Sequence, residues 1–214
     1  MQNDETSAPG ATISSEPVAA PTRKRPKPGE RRVQILQALA AMLEQPDAER
    51  ITTAALATRL EVSEAALYRH FASKAQMFEG LIDFVEQSVF TLVNQIVERE
   101  GPGREQAARI VAMLVQFAEK NPGMTRVMVG DALVFENERL QSRMNQFFDK
   151  IEATLRQSLR DAAAVDGATM PSVDAQVRAS ALTAFVVGRL QRFARSGFRR
   201  APSEHLDAAV ALML

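Results

Sequence analysis

Apolar residues recur every three or four positions through most of this chain and do not alternate. The run Leu140, Met144, Phe147, Ile151, Leu155 and Leu159 keeps helical register for about five turns. In a strand such spacing would scatter the apolar side chains over both faces, so the pattern restricts the fold to helices. Leu182, Val186, Leu190 and Phe193 mark a second long stripe, ended by Gly197. Val33, Leu36, Leu39, Ala40 and Leu43 predict a first helix that stops near Pro46. Phe78, Leu81, Ile82, Val85, Val89, Leu92, Val93 and Ile96 predict a long helix over 74–99, closed by Gly101-Pro102-Gly103. Further helices are expected over 105–120, stopped by Asn121-Pro122-Gly123, then over 125–136 and over 203–214, with a loop at 161–172. No segment has the alternating β-branched pattern of a strand.

Residues 1–29 have no apolar period and are rich in Pro, Ser, Thr, Ala and Gly, the composition of a disordered arm. The arm ends in basic residues: Arg23, Lys24, Arg25 and Lys27, continuing into Arg31 and Arg32. Either it keeps the chain soluble or it touches phosphates. The formal net charge of the whole chain is zero, so any anion-binding surface arises from segregation of charge rather than from its total. No cysteine is present, which excludes disulfides and thiolate metal sites and favours an intracellular setting. No apolar run reaches the roughly 18 residues of a membrane span, and the N-terminus does not read as a signal peptide.

Residues 52–74, TTAALATRLEVSEAALYRHFASK, hold the only tyrosine, Tyr68, and one of the two histidines, His70. Thr52 or Thr53 reads as the N-cap of one short helix, with Leu56 and Leu60 inside, and Ser63 as the N-cap of the next. Ala57, Val62 and Leu67 are the apolar positions of a helix-turn-helix. The outer face of the second helix then carries Ser63, Glu64, Tyr68 and Arg69, with His70 and Lys74 just beyond. Small Ala65 and Ala66 allow close approach. Such a rod fits a DNA major groove, with polar groups at base edges and basic ones at phosphates. Thr52 and Thr53 offer hydroxyls and a helix N-terminus to a phosphate. The competing reading is a small capped helix that packs its aromatic residue into a core, and spacing alone leaves both open.

The segment ITTAALATRLEVSEAALYRHFASKAQMF resembles the DNA-binding domain of the TetR family, whose recognition helix ends in a similar Tyr-x-His-Phe, x-x-Lys pattern. The resemblance implies a TetR-like all-α fold: a disordered basic arm over 1–29, a three-helix helix-turn-helix domain over 30–76, and a helical regulatory and dimerisation domain over 77–214. It implies DNA contacts at Thr52, Thr53, Ser63, Ala65, Tyr68, Arg69, His70 and Lys74. One departure is Glu61, where the family usually has glycine. A left-handed backbone there costs a non-glycine residue about 1 kcal/mol. The other departure is the length of the arm.

The stretches NPGMTRVMVGDALVFENERLQSRMNQFF and IEATLRQSLR resemble the family members that act in nucleoid occlusion. This implies a cytoplasmic, nucleoid-associated protein that, when bound to DNA, contacts the tubulin-like division protein FtsZ and blocks septum formation over the chromosome. The partner surface then falls on Phe84, Lys120 and Asn121, although Leu92 and Gln116 depart from the pattern, and core packing is the plain alternative for Phe84.

The two long stripes either pair with a second copy or bury within one subunit. The resemblance favours a homodimer joined through Phe147, Ile151, Leu155, Leu182, Val186 and Leu190, with two recognition helices about one DNA turn apart on a pseudo-palindromic site. TetR-like bodies also commonly hold a small effector, and Met113, Phe117, Met124, Met128 and Phe135 are candidates to line a pocket. Plain core is the favoured reading of these residues. The alternative function is therefore a transcriptional repressor released by a small ligand, and a third is a helical interaction protein without a DNA role.

Catalysis has little support in the chain. His70 and His205 stand far apart, without the spacing of metal ligands or an obvious triad. Gly101-Pro102-Gly103 lacks the strand and later glycine of a phosphate loop. No cofactor or metal is expected.

Overall fold

The computed structural model describes residues 29–45, 50–165, 167 and 169–214. The arm, apart from Gly29, and Pro46 lie outside them. Among the described residues the architecture is all-α: α1 (Glu30–Leu43), α2 (Thr53–Arg59), α3 (Glu64–Tyr68), α4 (Lys74–Arg99), α5 (Arg104–Lys120), α6 (Pro122–Met128), a 3-10 turn (Asp131–Leu133), α7 (Glu138–Val165), α8 (Pro171–Arg195) and α9 (Leu206–Met213). No described helix is long and apolar enough to cross a membrane.

Local chemistry sets these bounds. Ser73 caps α4 by accepting a hydrogen bond from the Gln76 amide, and the extended Glu100 and the Gly-Pro-Gly that follows end it. In α1 the buried residues are Ile35, Leu39 and Leu43, whereas Val33 faces solvent, so the inner face is rotated from the one expected. Two boundaries differ from expectation. Pro122, read as a stop, occupies the first turn of α6, where its missing N–H costs nothing. The expected helix 125–136 is therefore divided: α6 ends at Met128, and Gly130, at φ 77°, turns the chain into the 3-10 segment. The expected loop at 161–172 is shorter too, because α7 runs on to Val165 and α8 starts at Pro171.

α7 and α8 form an antiparallel hairpin against α5. The six residues assigned to a dimer interface, Phe147, Ile151, Leu155, Leu182, Val186 and Leu190, are all buried within the single chain. Their stripes face each other and α5 in one continuous core, so the alternative of burial within one subunit holds for these side chains. Among the described residues α4 and α6 form the seam between the N-terminal helices and this body. α4 runs continuously from one to the other. α6 lies so close to α1 that a Cβ on Gly123 would come within 2.4 Å of the Ala40 carbonyl oxygen. Within the body, ion pairs tie the start of α7 to α4: Arg139 with Glu79, and Arg143 with both Asp83 and Glu86. The hydrogen bond to Glu86 holds the Arg143 guanidinium more firmly charged than usual, against the opposing effect of its burial.

Candidate nucleic-acid interface

The turn between α2 and α3 is a Schellman closure. The Glu61 amide donates to the Thr58 carbonyl at 3.0 Å, and the Val62 amide donates to the Ala57 carbonyl at 3.0 Å. Glu61 itself has φ 54°, the left-handed backbone that the departure from glycine implied. This turn lets Leu56, Ala57 and Leu67, all buried, share one core.

Both helices are capped as their sequences predict. Thr52 is the N-cap of α2, its hydroxyl accepting from the Ala55 amide at 3.1 Å. Ser63 caps α3, accepting from the Ala66 amide at 3.3 Å. The Thr53 hydroxyl donates to the Glu64 carboxylate, tying the first turn of α2 to the first turn of α3. Glu64 also sits favourably at the positive end of α3.

α3 turns Leu67 inward and leaves Ser63, Ala65, Tyr68, Arg69 and His70 exposed. Tyr68 is 45% accessible, so it is not the core aromatic of the competing reading. That part falls to Phe71, which is fully buried. Thr52 is exposed and Thr53 half-buried beside this surface. The arrangement is a short rod whose outer side carries Ser63, acidic Glu64 and small Ala65, with Tyr68, Arg69 and His70 at its C-terminal end, which suits it to enter a groove.

Lys74 is placed differently from the expectation. It is half-buried at the start of α4, ion-paired to Glu136 and 5.6 Å from the centre of the Phe78 ring. The cause is the packing of the first turn of α4 against the segment before α7. Arg32, read as part of the basic arm, is also engaged. Its guanidinium donates to the His70 carbonyl at 3.0 Å and lies 4.1 Å over the Phe71 ring. Periodicity could not show either contact, because each joins residues distant in sequence.

The candidate partner residues lie on α4 and at the junction of α5 and α6. Phe84 is 48% accessible, which removes core packing as its explanation. Leu92 is also exposed on α4, and Lys120 at the end of α5. Asn121 is half-buried, its amide donating to the Phe117 carbonyl at 2.7 Å. It shapes the joint between α5 and α6 and presents less of itself to solvent than Phe84 does.

The five candidate pocket residues share no surface. Phe117, Met124 and Met128 are buried, Met113 is half-buried, and Phe135 points to solvent. A surface cleft of about 530 Å³ lies elsewhere, between α8 and the start of α9, lined by Ala184, Phe185, Gly188, Arg189, Arg192, Glu204 and His205. None of the five lines it.

Comparison with known proteins agrees with this geometry. Residues 35–81 match the family described as bacterial regulatory proteins, tetR family. Residues 105–214 match the SlmA-like tetracyclin repressor-like C-terminal domain. The chain is 49% identical over 188 residues to nucleoid occlusion factor SlmA of Vibrio vulnificus strain YJ016, covering 87% of this chain and 95% of that protein. It is 50% identical over 184 residues to nucleoid occlusion factor SlmA of Vibrio cholerae, covering 86% and 93%. Among solved structures, the TetR family transcriptional regulator PfmR of Thermus thermophilus is similar in fold, with a TM-score of 0.68 at 23% identity over 85% of this chain and 97% of that one. AibR, solved with isovaleryl coenzyme A and operator DNA, has a TM-score of 0.66 at 17% identity, with the same coverage. These two likenesses speak for the fold alone.

Proposed function

This chain belongs to the nucleoid occlusion factor SlmA family of TetR-type, DNA-binding regulators, and from that premise we propose that it is a sequence-specific DNA-binding protein that, once on DNA, inhibits FtsZ assembly and blocks septum formation over the chromosome. The family is one of regulators rather than enzymes. The observation that carries the DNA-binding part is the outward face of α3, capped at its start by Ser63, where Tyr68, Arg69 and His70 stand exposed at the C-terminal end. In this reading Ser63, Ala65 and Tyr68 meet base edges, and Thr52, Arg69 and His70 meet flanking phosphates. The protein acts in the cytoplasm on the nucleoid.

A homodimer is part of the proposal, with an interface different from the buried stripe. On the outer side of α8, Val173 and Val177 are 52% and 63% accessible, and Ala181 and Ala184 follow on the same face. Gly188 continues that line, with nothing within 4 Å of where its Cβ would be. A glycine inside a helix costs about 1 kcal/mol relative to alanine, and close approach of a second α8 gives it a use. Two copies so joined present two α3 helices to a pseudo-palindromic site.

FtsZ contact is supported by the exposed Phe84 on α4 and by the exposed Lys120 at the end of α5, an aromatic ring and a cation open to a partner. Cosedimentation with FtsZ polymer, with and without a bound duplex, tests the whole reading. FtsZ should be captured and its polymer reduced, more strongly with DNA than without. A DNA-bound protein that leaves FtsZ untouched would instead be a transcriptional repressor. A protein that binds random and palindromic duplexes equally would lose the DNA-reading role as well.

A further inference from the structure

The sequence places Arg32 at the end of a basic arm, where a phosphate contact is the obvious role. The structure gives its side chain two other partners. One is the carbonyl of His70, the first residue beyond the C-cap of α3; the other is the face of Phe71. α3 is only five residues long, too short to hold its own orientation, since helices of this length are unstable without tertiary support. Its N-terminal end is fixed by Ser63 and by the Thr53–Glu64 hydrogen bond. At the C-terminal end Leu67 and Phe71 are buried, and Arg32 is the side chain that reaches across from α1 to the last carbonyl of the turn. A guanidinium there also meets the negative end of the helix dipole, and its plane suits both the ring and the carbonyl in a way that an ammonium does not.

We propose that Arg32 is a positioning residue for DNA recognition: it sets the angle at which α3 presents Tyr68, Arg69 and His70 and makes no phosphate contact of its own. The inference rests on the DNA-binding reading given above. α1 thereby becomes part of the reading head through Arg32.

The test compares Arg32→Ala, Arg32→Lys and Arg69→Ala with the unchanged dimer. Fluorescence anisotropy is measured over a salt series on a duplex enriched by the unchanged protein from a random pool, and on unselected duplex. Arg32→Ala should weaken binding to the enriched duplex about fivefold, leave unselected duplex within about twofold, and keep the slope of log affinity against log salt unchanged. Arg32→Lys, which keeps the charge without the plane, should lose specificity in the same way. Arg69→Ala should flatten the slope by about one. Circular dichroism should show Arg32→Ala folded, because its side chain is on the surface. If it does not, Arg32→Lys carries the same comparison. Equal loss on both duplexes with a flatter slope, or full recovery by Arg32→Lys, would make Arg32 a phosphate contact and overturn the proposal. Failure of the unchanged protein to enrich any duplex would overturn the DNA-binding reading itself.

Discussion

Glu61 shows how a single position can hold strain in a necessary turn. Its φ of 54° is the conformation a Schellman closure demands, and glycine adopts it without steric cost. Glu61→Gly should therefore stabilise the protein by up to about 1 kcal/mol, part of it cancelled by the greater freedom of glycine in the unfolded chain. A rise in Tm would support this; an unchanged or lower Tm would show that contacts of the Glu61 side chain outweigh the backbone term. This position was readable through the family resemblance, which has glycine where this chain has Glu61, and the reading could hold because the turn is local and its closure involves only neighbouring residues. Arg32 and Lys74 were not readable. Their partners His70 and Glu136 lie 38 and 62 residues away, and a basic residue near a DNA-binding motif looks like a phosphate contact until its partner is known.

Among the elements, α4 was legible because its apolar stripe is long and Gly101-Pro102-Gly103 is a clear stop, and the Ser73 cap seen in the structure accounts for its start. α6 was not, because a proline can end one helix or begin the next, and only packing against α1 decides which. That packing makes Gly123 a sensitive position: a methyl group there meets backbone, the Ala40 carbonyl at 2.4 Å, and backbone cannot rotate away. Gly123→Ala should cost about 1–3 kcal/mol, measured by denaturant unfolding, despite alanine being the better helix former. The same seam holds Lys74. If DNA phosphate and Glu136 compete for its ammonium, Glu136→Gln frees Lys74 and should tighten DNA binding severalfold at low salt, while Lys74→Ala weakens it. Anisotropy on any duplex reads both, and a Glu136→Gln variant that binds no better would confine Lys74 to the seam.

In the whole molecule, the decisive ambiguity was which surface covers an apolar stripe. Phe147, Ile151, Leu155, Leu182, Val186 and Leu190 have the spacing of an interface and equally of a core, because spacing records one greasy side and not what lies against it. Hairpin closure of α7 on α8 against α5 decides for core. A dimer must then use what remains outside, and on α8 that is Val173, Val177, Ala181, Ala184 and Gly188. The two assignments predict different failures. Val177→Glu puts a charge in the proposed interface but in water within the monomer, so it should leave Tm at low concentration nearly unchanged and shift sedimentation from dimer to monomer. Leu155→Ala empties core volume and should cost about 2–5 kcal/mol at every concentration. Loss of the dimer should also remove cooperative binding to a two-half-site duplex while sparing a single half-site, because one α3 still fits one groove. If instead Val177→Glu stayed dimeric and Leu155→Ala dissociated without unfolding, the interface would have to include the hairpin core, and the geometry that spaces two reading heads along DNA would need a different two-fold axis.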